Sequence, residues 1–409
     1  MWRKLKPAIL EKLLAYLYLF LLPTQLGRHF FFDFSYFVGV RSTFLALVIY
    51  STDLIFLALI ALFIFNRKKY ILNNKLKISK IWWVIIVFLV MNFFESISYA
   101  RWGYQMIRYL ELIGVFFIFS KISFDRKKVV WILISATLIQ LFLVMYQIDT
   151  GRSIQGIAWF LGERMFDSSY PGIAKVYLWG VEKVRGYGTF SHPNSLGGFF
   201  LMWFVFYFTQ TKKLLKSELL LLVISGVLVL LSFSKIAIIV LLLLLIGQTM
   251  SKGFECFICR TAKIMTFFAI MTIFLMASHD EQGMEKRVFW AFQAIEVIKS
   301  HPIFGVGMGN YLLSVGSLGW KIPFVETLIQ PVHNIFLLFF AEVGLVGLGL
   351  ITLMIGKLYQ ITPEKKRFLI LILTIGFLGM WDHYILTLHQ NLVLVGVILG
   401  LIDNEYHNP

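Results

Sequence analysis

The chain has 409 residues, of which 59% are aliphatic, aromatic, Met or Cys and only 15% are charged. Soluble domains usually contain about 45–50% apolar and about 25% charged residues, so this composition excludes a cytosolic globular protein, a nucleic-acid binder and a disordered chain. The formal net charge is +16. The basic residues occur in short groups between apolar runs, which is typical of membrane loops rather than of a groove for DNA.

Apolar runs of the length that crosses a bilayer as a helix recur from one end of the chain to the other. They predict an all-α fold, a polytopic membrane helix bundle of about 12 transmembrane helices that forms a single integral-membrane domain, residues 1–409. The predicted spans are 10–24, 43–65, 81–97, 104–120, 129–148, 195–210, 219–233, 236–249, 264–278, 334–355, 368–382 and 389–402. No small-x-small cleavage site follows the first apolar run, so we expect an uncleaved first helix.

The Lys and Arg residues predict the orientation of this bundle. Twenty-three of the 38 lie in the starting tail and in the loops 66–80, 121–128, 211–218, 251–263 and 356–367. The short loops opposite contain only Arg28, Arg41 and Arg101. The positive-inside rule therefore places both termini in the cytoplasm, with the protein in the cytoplasmic (inner) membrane. Cys256 and Cys259 form a C-x-x-C in one of these loops, where two reduced thiols are expected rather than a zinc or redox site.

The same orientation leaves two long extracytoplasmic loops, 149–193 and 278–332, where function is expected. The first ends in R-G-Y-G-T-F-S-H-P-N at 185–194. A tight turn back into the membrane explains its glycines and its proline, and Asn194 or Ser195 could cap a helix that begins at Leu196. The turn does not explain Arg185, which could contact either a lipid headgroup or a substrate phosphate.

Two further cations belong to the same face of the predicted bundle. Lys235 ends the turn S-F-S-K at 232–235, where it could simply extend toward the headgroups. In the second long loop, the apolar stripe that includes Val288, Phe292 and Ile295 predicts an amphipathic helix lying on the membrane surface. Arg287 projects from the boundary of that stripe, within reach of a lipid phosphate.

The last segment of interest opens a membrane helix with His333 and Asn334. A neutral histidine there could act as a general base near pH 7, or it could merely cap the helix. Glu342 lies nine positions later, on the opposite helix face, and is expected to pair inside the bundle. Arg108 and Glu111, three positions apart, are expected to form such a pair.

Several sequence patterns are absent. The two long loops contain no Asp-x-Asp or Glu-x-Asp, so a metal held by paired carboxylates is not predicted. The chain has no Gly-x-x-x-x-Gly-Lys-Ser/Thr, so ATP is not predicted as the energy source. Gly305, Gly307 and Gly309 follow a helix and not a strand, which favours a turn closing onto the bundle over a dinucleotide site. We therefore predict no metal and no cofactor.

Together these segments resemble the bacterial O-antigen ligase and O-antigen polymerase superfamily of integral-membrane glycan transferases. The similarity covers R-G-Y-G-T-F-S-H-P-N at 185–194, S-F-S-K at 232–235, R-V-F-W and H-P-I-F-G-V-G-M-G-N-Y across 287–311, and H-N-I-F…E-V-G-L-V-G at 333–347. The resemblance implies about a dozen helices and a glycan donor carried on undecaprenyl diphosphate. It also implies a metal-independent, inverting transfer to an acceptor hydroxyl on the extracytoplasmic face.

The resemblance also assigns roles to single residues. The family's presumed base, a His at the start of the helix after the large loop, matches His333, and its presumed diphosphate-binding Arg matches Arg287. A second family Arg falls on Lys235, which keeps the charge but loses the bidentate fork, so Arg185 is expected to share that contact. Substrate-binding roles are also predicted for two side-chain amides, those of Asn194 and Asn334.

The predicted partners are the lipid-linked donor, a glycan, lipid or protein acceptor, and membrane lipid, with no nucleic acid. A ligase and a polymerase differ only in the acceptor, and the motifs do not separate them. The alternative from another class is a polytopic flippase or transporter of lipid-linked glycan, whose charges would lie along a path near mid-bilayer. Here the polar groups gather at one face of the predicted bundle, which favours an enzyme.

Overall fold

The computed structural model describes residues 7–37, 39–65, 80–178, 180–210, 214–251, 270, 281–318 and 329–407. The helices within these ranges are α1 (Pro7–Leu21), α2 (Ser51–Phe65), α3 (Lys80–Phe94), α4 (Tyr99–Lys121), α5 (Arg126–Thr150), α6 (Pro193–Phe208), α7 (Lys216–Leu231), α8 (Lys235–Ser251), α9 (Glu281–Ser300), α10 (Tyr311–Ser317), α11 (Ile335–Ile361), α12 (Lys365–Gly379), α13 (Tyr384–Thr387) and α14 (His389–His407). The strands are β1 (Gly27–Phe30), β2 (Tyr36–Phe37), β3 (Val40–Arg41), β4 (Leu47–Tyr50), β5 (Lys175–Leu178) and β6 (Val181–Val184). They form three antiparallel pairs, β1 with β4, β2 with β3 and β5 with β6.

The predicted helical class is confirmed, and helices occupy most of the predicted spans. By length and apolar composition, α5 and α11 could cross a membrane, while the total of twelve spans stays a prediction. The predicted span at 264–278, except Ile270, lies outside the described residues, as do Cys256 and Cys259. Most of the basic loops 66–80 and 251–263 also lie outside them.

The predicted span 43–65 is wrong in its first part, because α2 begins only at Ser51. Residues 47–50 instead form β4, whose Tyr50 pairs with Gly27 of β1. The sequence Leu-Val-Ile-Tyr in β4 is rich in β-branched and aromatic side chains, which favour a strand. Asp53 stabilises the change from strand to helix, since its carboxylate accepts a hydrogen bond of 2.8 Å from the Tyr50 N–H.

Helix α6 lies at the centre of the bundle. Every residue from Ser195 to Tyr207 is buried, as expected of a helix that is apolar on all sides. Its glycines permit close packing at the end that carries the site. A side chain on Gly197 would collide with Ser232, and one on Gly198 would collide with the Tyr384 ring. The start of α6 is thereby fixed against the α7–α8 turn and against α13.

Helix α11 is kinked at Gly344, which has a φ of 64°. A segment from the preceding loop fills the kink. The Leu345 N–H donates to the Pro302 carbonyl at 2.9 Å, and the Val346 N–H donates to the Ile303 carbonyl at 3.1 Å. These bonds replace helical partners lost at the kink. The glycine run at 305–309 therefore closes onto the bundle, as its sequence predicted.

A buried ion cluster joins α2, α4 and α14. Arg108 contacts Glu111 at 2.8 Å, which confirms the predicted pair, and it also contacts Asp53 at 2.7 Å. The His389 ring stacks on Tyr50 at 4.5 Å between ring centroids. Separating these helices would leave a buried charge without its partner, which would be energetically costly. The cluster therefore holds the three helices together.

Candidate functional site

A cavity of about 2010 Å³ opens between the starts of several helices and the loops that precede them. Typical small-molecule sites measure about 300–1,000 Å³, so this cavity has room for a larger ligand. Its walls include five of the six predicted site residues, namely Arg185, Asn194, Lys235, Arg287 and His333. The structure therefore brings together side chains that are separated by up to 148 positions in the sequence.

Asn334, the sixth, has a different position. It is the N-cap of α11, and its side-chain oxygen accepts hydrogen bonds from the Phe336 N–H at 2.9 Å and from the Leu337 N–H at 3.0 Å. Its amide group donates to the Met380 carbonyl at 3.1 Å. Asn334 thus performs the capping role that was the alternative for His333, and it leaves the neighbouring imidazole available.

The His333 ring is held by aromatic contacts. It stacks on Trp290 of α9 at 4.5 Å with an interplanar angle of 10°, and it meets the His383 ring edge-on at 4.9 Å. Its Nδ1 has no hydrogen-bond partner among the described residues. Burial lowers the pKa of His333 below its ordinary value, and Arg287 lowers it further, while Asp382 opposes both effects. At pH 7 the ring is therefore neutral and able to accept a proton.

Sequence reasoning missed Asp382 and His383, which lie between α12 and α13. One ring nitrogen each of His333 and His383 and one Asp382 oxygen lie within 4.8 Å of one another. Burial raises the pKa of Asp382, but the neighbouring His333 and His383 and a hydrogen bond from Asn194 outweigh burial and hold it below its ordinary value. The sequence W-D-H-Y at 381–384 places a carboxylate and a histidine at the end of a predicted span. Ionisable residues at such a position indicate a functional site, so this pattern could have predicted them.

Asn194 connects this carboxylate to Arg185. The Arg185 Nη2 donates to the Asn194 Oδ1 at 2.7 Å, and the Asn194 Nδ2 donates to the Asp382 Oδ2 at 2.8 Å. The Arg185 Nε donates to the Ser232 carbonyl at 3.0 Å, so this guanidinium also holds the turn that precedes α8.

The expected cap of α6 was wrong. Helix α6 begins at Pro193 rather than at Leu196, and its N-cap is His192, whose Nδ1 accepts a hydrogen bond from the Asn194 N–H at 3.2 Å. A proline is well tolerated in the first turn because its missing N–H has no helical partner there. The Asn194 side chain is consequently left to bridge Arg185 and Asp382.

Lys235 and Arg287 approach the cavity from two other helices. Lys235 is the first residue of α8 and is exposed, while Arg287 is half-buried on α9. Neither cation has a carboxylate partner in the part of the chain that the structure describes. Burial lowers the pKa of His192 to about 3, and the charges of Arg185 and Arg287 contribute to the lowering. Both arginines line the cavity.

The predicted apolar stripe of α9 lies on its outer face. Val288, Phe292 and Ile295 are 49%, 60% and 38% exposed, whereas Ala294 and Val297 on the opposite face are fully buried. The exposed stripe is what a helix resting on a membrane surface would present to lipid. Arg287 lies beside it and reaches the cavity.

Two groups could hold a metal ion by their composition. They are His333 with Asp382 and His383, and Asp53 with Glu111 and His389. In the first group both Asp382 oxygens already accept hydrogen bonds, from Asn194 and from the His383 N–H. In the second group Arg108 contacts both carboxylates. Both oxygens of Asp382 are therefore engaged, whereas the Glu111 Oε1 in the second group has no hydrogen-bond partner among the described residues.

Comparison with known families gives an independent result. Residues 197–352 match a family model described as O-Antigen ligase. The matched part contains Lys235, Arg287 and His333, while Arg185, Asn194 and Asp382 lie outside it. No curated protein matches the chain. The match confirms, over residues 197–352, the resemblance to the O-antigen ligase and O-antigen polymerase superfamily found in the sequence: this part of the chain is similar to an O-antigen ligase domain.

Proposed function

We propose that the protein transfers a glycan from an undecaprenyl-diphosphate carrier to an acceptor hydroxyl on the extracytoplasmic face of the cytoplasmic membrane. The transfer inverts the anomeric carbon and needs no metal. The observation that carries this proposal is the convergence of His333 with Arg185, Lys235 and Arg287 on one cavity in a chain that is similar, over residues 197–352, to an O-antigen ligase domain.

In this mechanism His333 is the general base. Its neutral ring accepts the proton of the acceptor hydroxyl while the hydroxyl oxygen attacks the anomeric carbon. The bond from that carbon to the diphosphate oxygen breaks on the opposite side, and its electron pair leaves with the diphosphate. Attack opposite to the leaving group inverts the configuration in a single step.

The cations stabilise the leaving group. The diphosphate gains one negative charge as the glycosyl bond breaks, and fixed positive charges aimed at that position lower the barrier. Arg287 can offer a two-pronged contact to phosphate oxygens, whereas Lys235 offers a point charge. Lys235 also begins α8, a helix of 17 residues, whose N-terminus favours anions.

Asp382 stabilises the positive charge that develops on the base. Its charge favours the protonated form of His333, which develops during transfer, and the Asn194 amide holds the carboxylate in place at 2.8 Å. Asn194 itself contacts Arg185 at 2.7 Å. A hydrogen-bonded chain therefore runs from Arg185, on the diphosphate-binding side of the cavity, through Asn194 to Asp382, and Asp382 acts on the base through its charge. In this proposal Asn334 contributes by capping α11 beside the base.

The proposal covers the whole chain as one membrane domain, residues 1–409, with both termini in the cytoplasm. In this proposal the loops 149–193 and 278–332 lie on the extracytoplasmic side, where the acceptor is bound. A second lipid-linked glycan as acceptor would make the protein a polymerase, and a lipid or protein acceptor would make it a ligase, by the same chemistry. No observation on the described residues favours the flippase alternative.

The test is transfer from purified lipid-linked glycan by the detergent-solubilised protein, in the presence of EDTA. We expect His333→Ala to lower the rate by about 10²–10⁴-fold, the usual effect of losing a general base, while donor binding persists. The matched control is His301→Ala, which removes a half-buried histidine outside the cavity and should retain the wild-type rate. Near-wild-type transfer by His333→Asn would assign a structural role to His333, and loss of wild-type transfer in EDTA would contradict the metal-independent mechanism.

A further inference from the structure

The cavity contains more positive charge than a diphosphate requires. Its walls contain nine Lys and Arg side chains but only three Asp and Glu side chains. Each of the three carboxylates already has partners. Glu182 contacts Lys175 at 2.8 Å, Asp382 accepts a hydrogen bond from Asn194, and Glu342 accepts hydrogen bonds from backbone groups of the 309–311 segment.

Some of the nine cations are also engaged. Arg101 donates to the Gly309 and Ala46 carbonyls at 3.4 and 3.1 Å, and Arg108 belongs to the buried ion cluster. The proposed mechanism assigns Arg185, Lys235 and Arg287 to the diphosphate. Of the other four, Lys175 pairs with Glu182 and Lys286 precedes Arg287 on α9. The two arginines that remain, Arg41 and Arg164, belong to neither group.

Arg41 and Arg164 lie on different parts of the cavity wall. Arg41 is exposed on β3, and its guanidinium lies 4.8 Å from the centroid of the Phe31 ring. Arg164 is exposed in the loop between α5 and β5, and it acts electrostatically on Tyr187 together with Arg185. Neither arginine forms an ion pair with a carboxylate within the described ranges.

The position of Arg41 relates it to the proposed base. Phe44, three residues after Arg41, contacts the His383 ring at 5.6 Å between centroids, and His383 contacts His333. Three residues of extended chain span at most about 10 Å. Arg41 therefore lies on the segment of the cavity wall that leads through Phe44 and His383 to the proposed base.

We propose that the glycan handled by this protein is acidic, and that Arg41 and Arg164 bind carboxylate or other anionic groups on its sugars. The planar guanidinium matches a carboxylate with two parallel hydrogen bonds. A neutral glycan would leave both arginines without an anionic partner in the filled cavity. This inference rests on the proposed function, because it assumes that the cavity receives a glycan.

Binding is measured without transfer, so that a failure of the transferase mechanism leaves this result interpretable. The full-length protein in phosphatidylcholine nanodiscs is titrated with an oligogalacturonate and with a neutral maltooligosaccharide of the same length. We expect the acidic probe to bind about tenfold more tightly or better, a difference of about 1.4 kcal/mol, because hydrogen bonds between a guanidinium and a carboxylate are stronger than those to neutral hydroxyls.

Substitutions locate the binding. Arg41→Gln and Arg164→Gln should each weaken oligogalacturonate binding several-fold and leave maltooligosaccharide binding unchanged. The control is Lys299→Gln, which removes a positive charge from an exposed position on α9 outside the cavity and should change neither affinity. Saturating inorganic diphosphate should leave most of the oligogalacturonate binding in place.

Three results would overturn the proposal. The first is equal affinity for the acidic and the neutral probe. The second is unchanged oligogalacturonate affinity in the protein with both arginines replaced. The third is complete displacement by inorganic diphosphate, which would show that the acidic probe occupies only the diphosphate-binding cations.

Discussion

At the residue scale, the proposed chemistry depends on one imidazole, His333, close to the Asp382 carboxylate. Burial keeps His333 neutral by lowering its pKa, whereas Asp382 favours its protonated form. A general base must be deprotonated before transfer and must hold a proton during it. Burial favours the first state of His333, and the charge of Asp382 favours the second. The stack on Trp290 and the edge contact with His383 fix the ring plane.

The role of Asp382 can be tested through the pH dependence of transfer. Asp382→Asn keeps the shape but removes the charge that raises the His333 pKa, so His333 becomes a weaker base. We expect kcat to fall by about 10²-fold and the acid limb of the pH–rate profile, where His333 gains its proton, to move to lower pH. A fall in kcat with an unmoved acid limb would mean that Asp382 only maintains the fold.

The cations predict a graded series. Arg287→Ala removes both the positive charge and the two-pronged guanidinium contact, whereas Arg287→Lys removes only the two-pronged contact. The alanine variant should therefore lower donor affinity more. Lys235→Arg should equal or exceed the wild type, because it restores a two-pronged contact. The measurement is the affinity for lipid-linked donor, with Lys299→Ala as the charge control. Wild-type affinity in Arg287→Ala would contradict the assignment of Arg287 to the diphosphate.

The sequence predicted part of this site and not the rest, for physical reasons. The sequence predicted His333, Arg287 and Lys235 because they stand at the starts or boundaries of apolar helices, where a polar residue interrupts the apolar pattern. Asp382 lies in a different turn, and its contact with Asn194 forms only when α12 and α6 pack together. That packing could not be predicted from the sequence. The capping of α11 by Asn334 could not be separated from capping by His333, since either side chain can cap a helix.

At the element scale, the kink of α11 joins the large loop to the membrane bundle. Gly344 has a left-handed backbone, and a side chain there would collide with the Ile303 carbonyl. The same contact positions the 302–306 segment, which follows α9 and therefore Arg287. The glycine run indicated a turn from the sequence alone, but the kink that receives it depends on packing between segments about 40 residues apart.

Gly344→Ala tests this contact. The strained backbone and the collision should destabilise the protein by about 1–3 kcal/mol and should also lower donor affinity, because α9 loses its support. Gly349→Ala in the same helix is the control, since a side chain there meets nothing within 4 Å and alanine favours a helix. Thermal unfolding and donor binding are both measured. Equal behaviour of the two variants would show that the kink does not support α9.

At the scale of the whole molecule, the apolar periodicity located most of the described helices but could not predict how they pack. Helix α6 is buried on all sides because α7, α12 and α14 surround it, and the apolar run in its sequence resembles those of helices with exposed faces. The start of α2 was misplaced because residues 47–50 are apolar enough for a membrane span, yet they form a strand with β1.

The distribution of charge along the chain predicts the orientation of the whole bundle in the membrane. Basic loops remain on the cytoplasmic side because Lys and Arg oppose translocation, so the loop at 66–80 should be cytoplasmic and the loop at 149–193 extracytoplasmic. After replacement of Cys256 and Cys259, single cysteines are introduced as Tyr70→Cys and Ser168→Cys and treated with an impermeant maleimide. We expect Ser168→Cys to label in intact cells and Tyr70→Cys to label only after permeabilisation. The reverse pattern would place the cavity and His333 on the cytoplasmic side, where a donor displayed on the outer leaflet could not reach them.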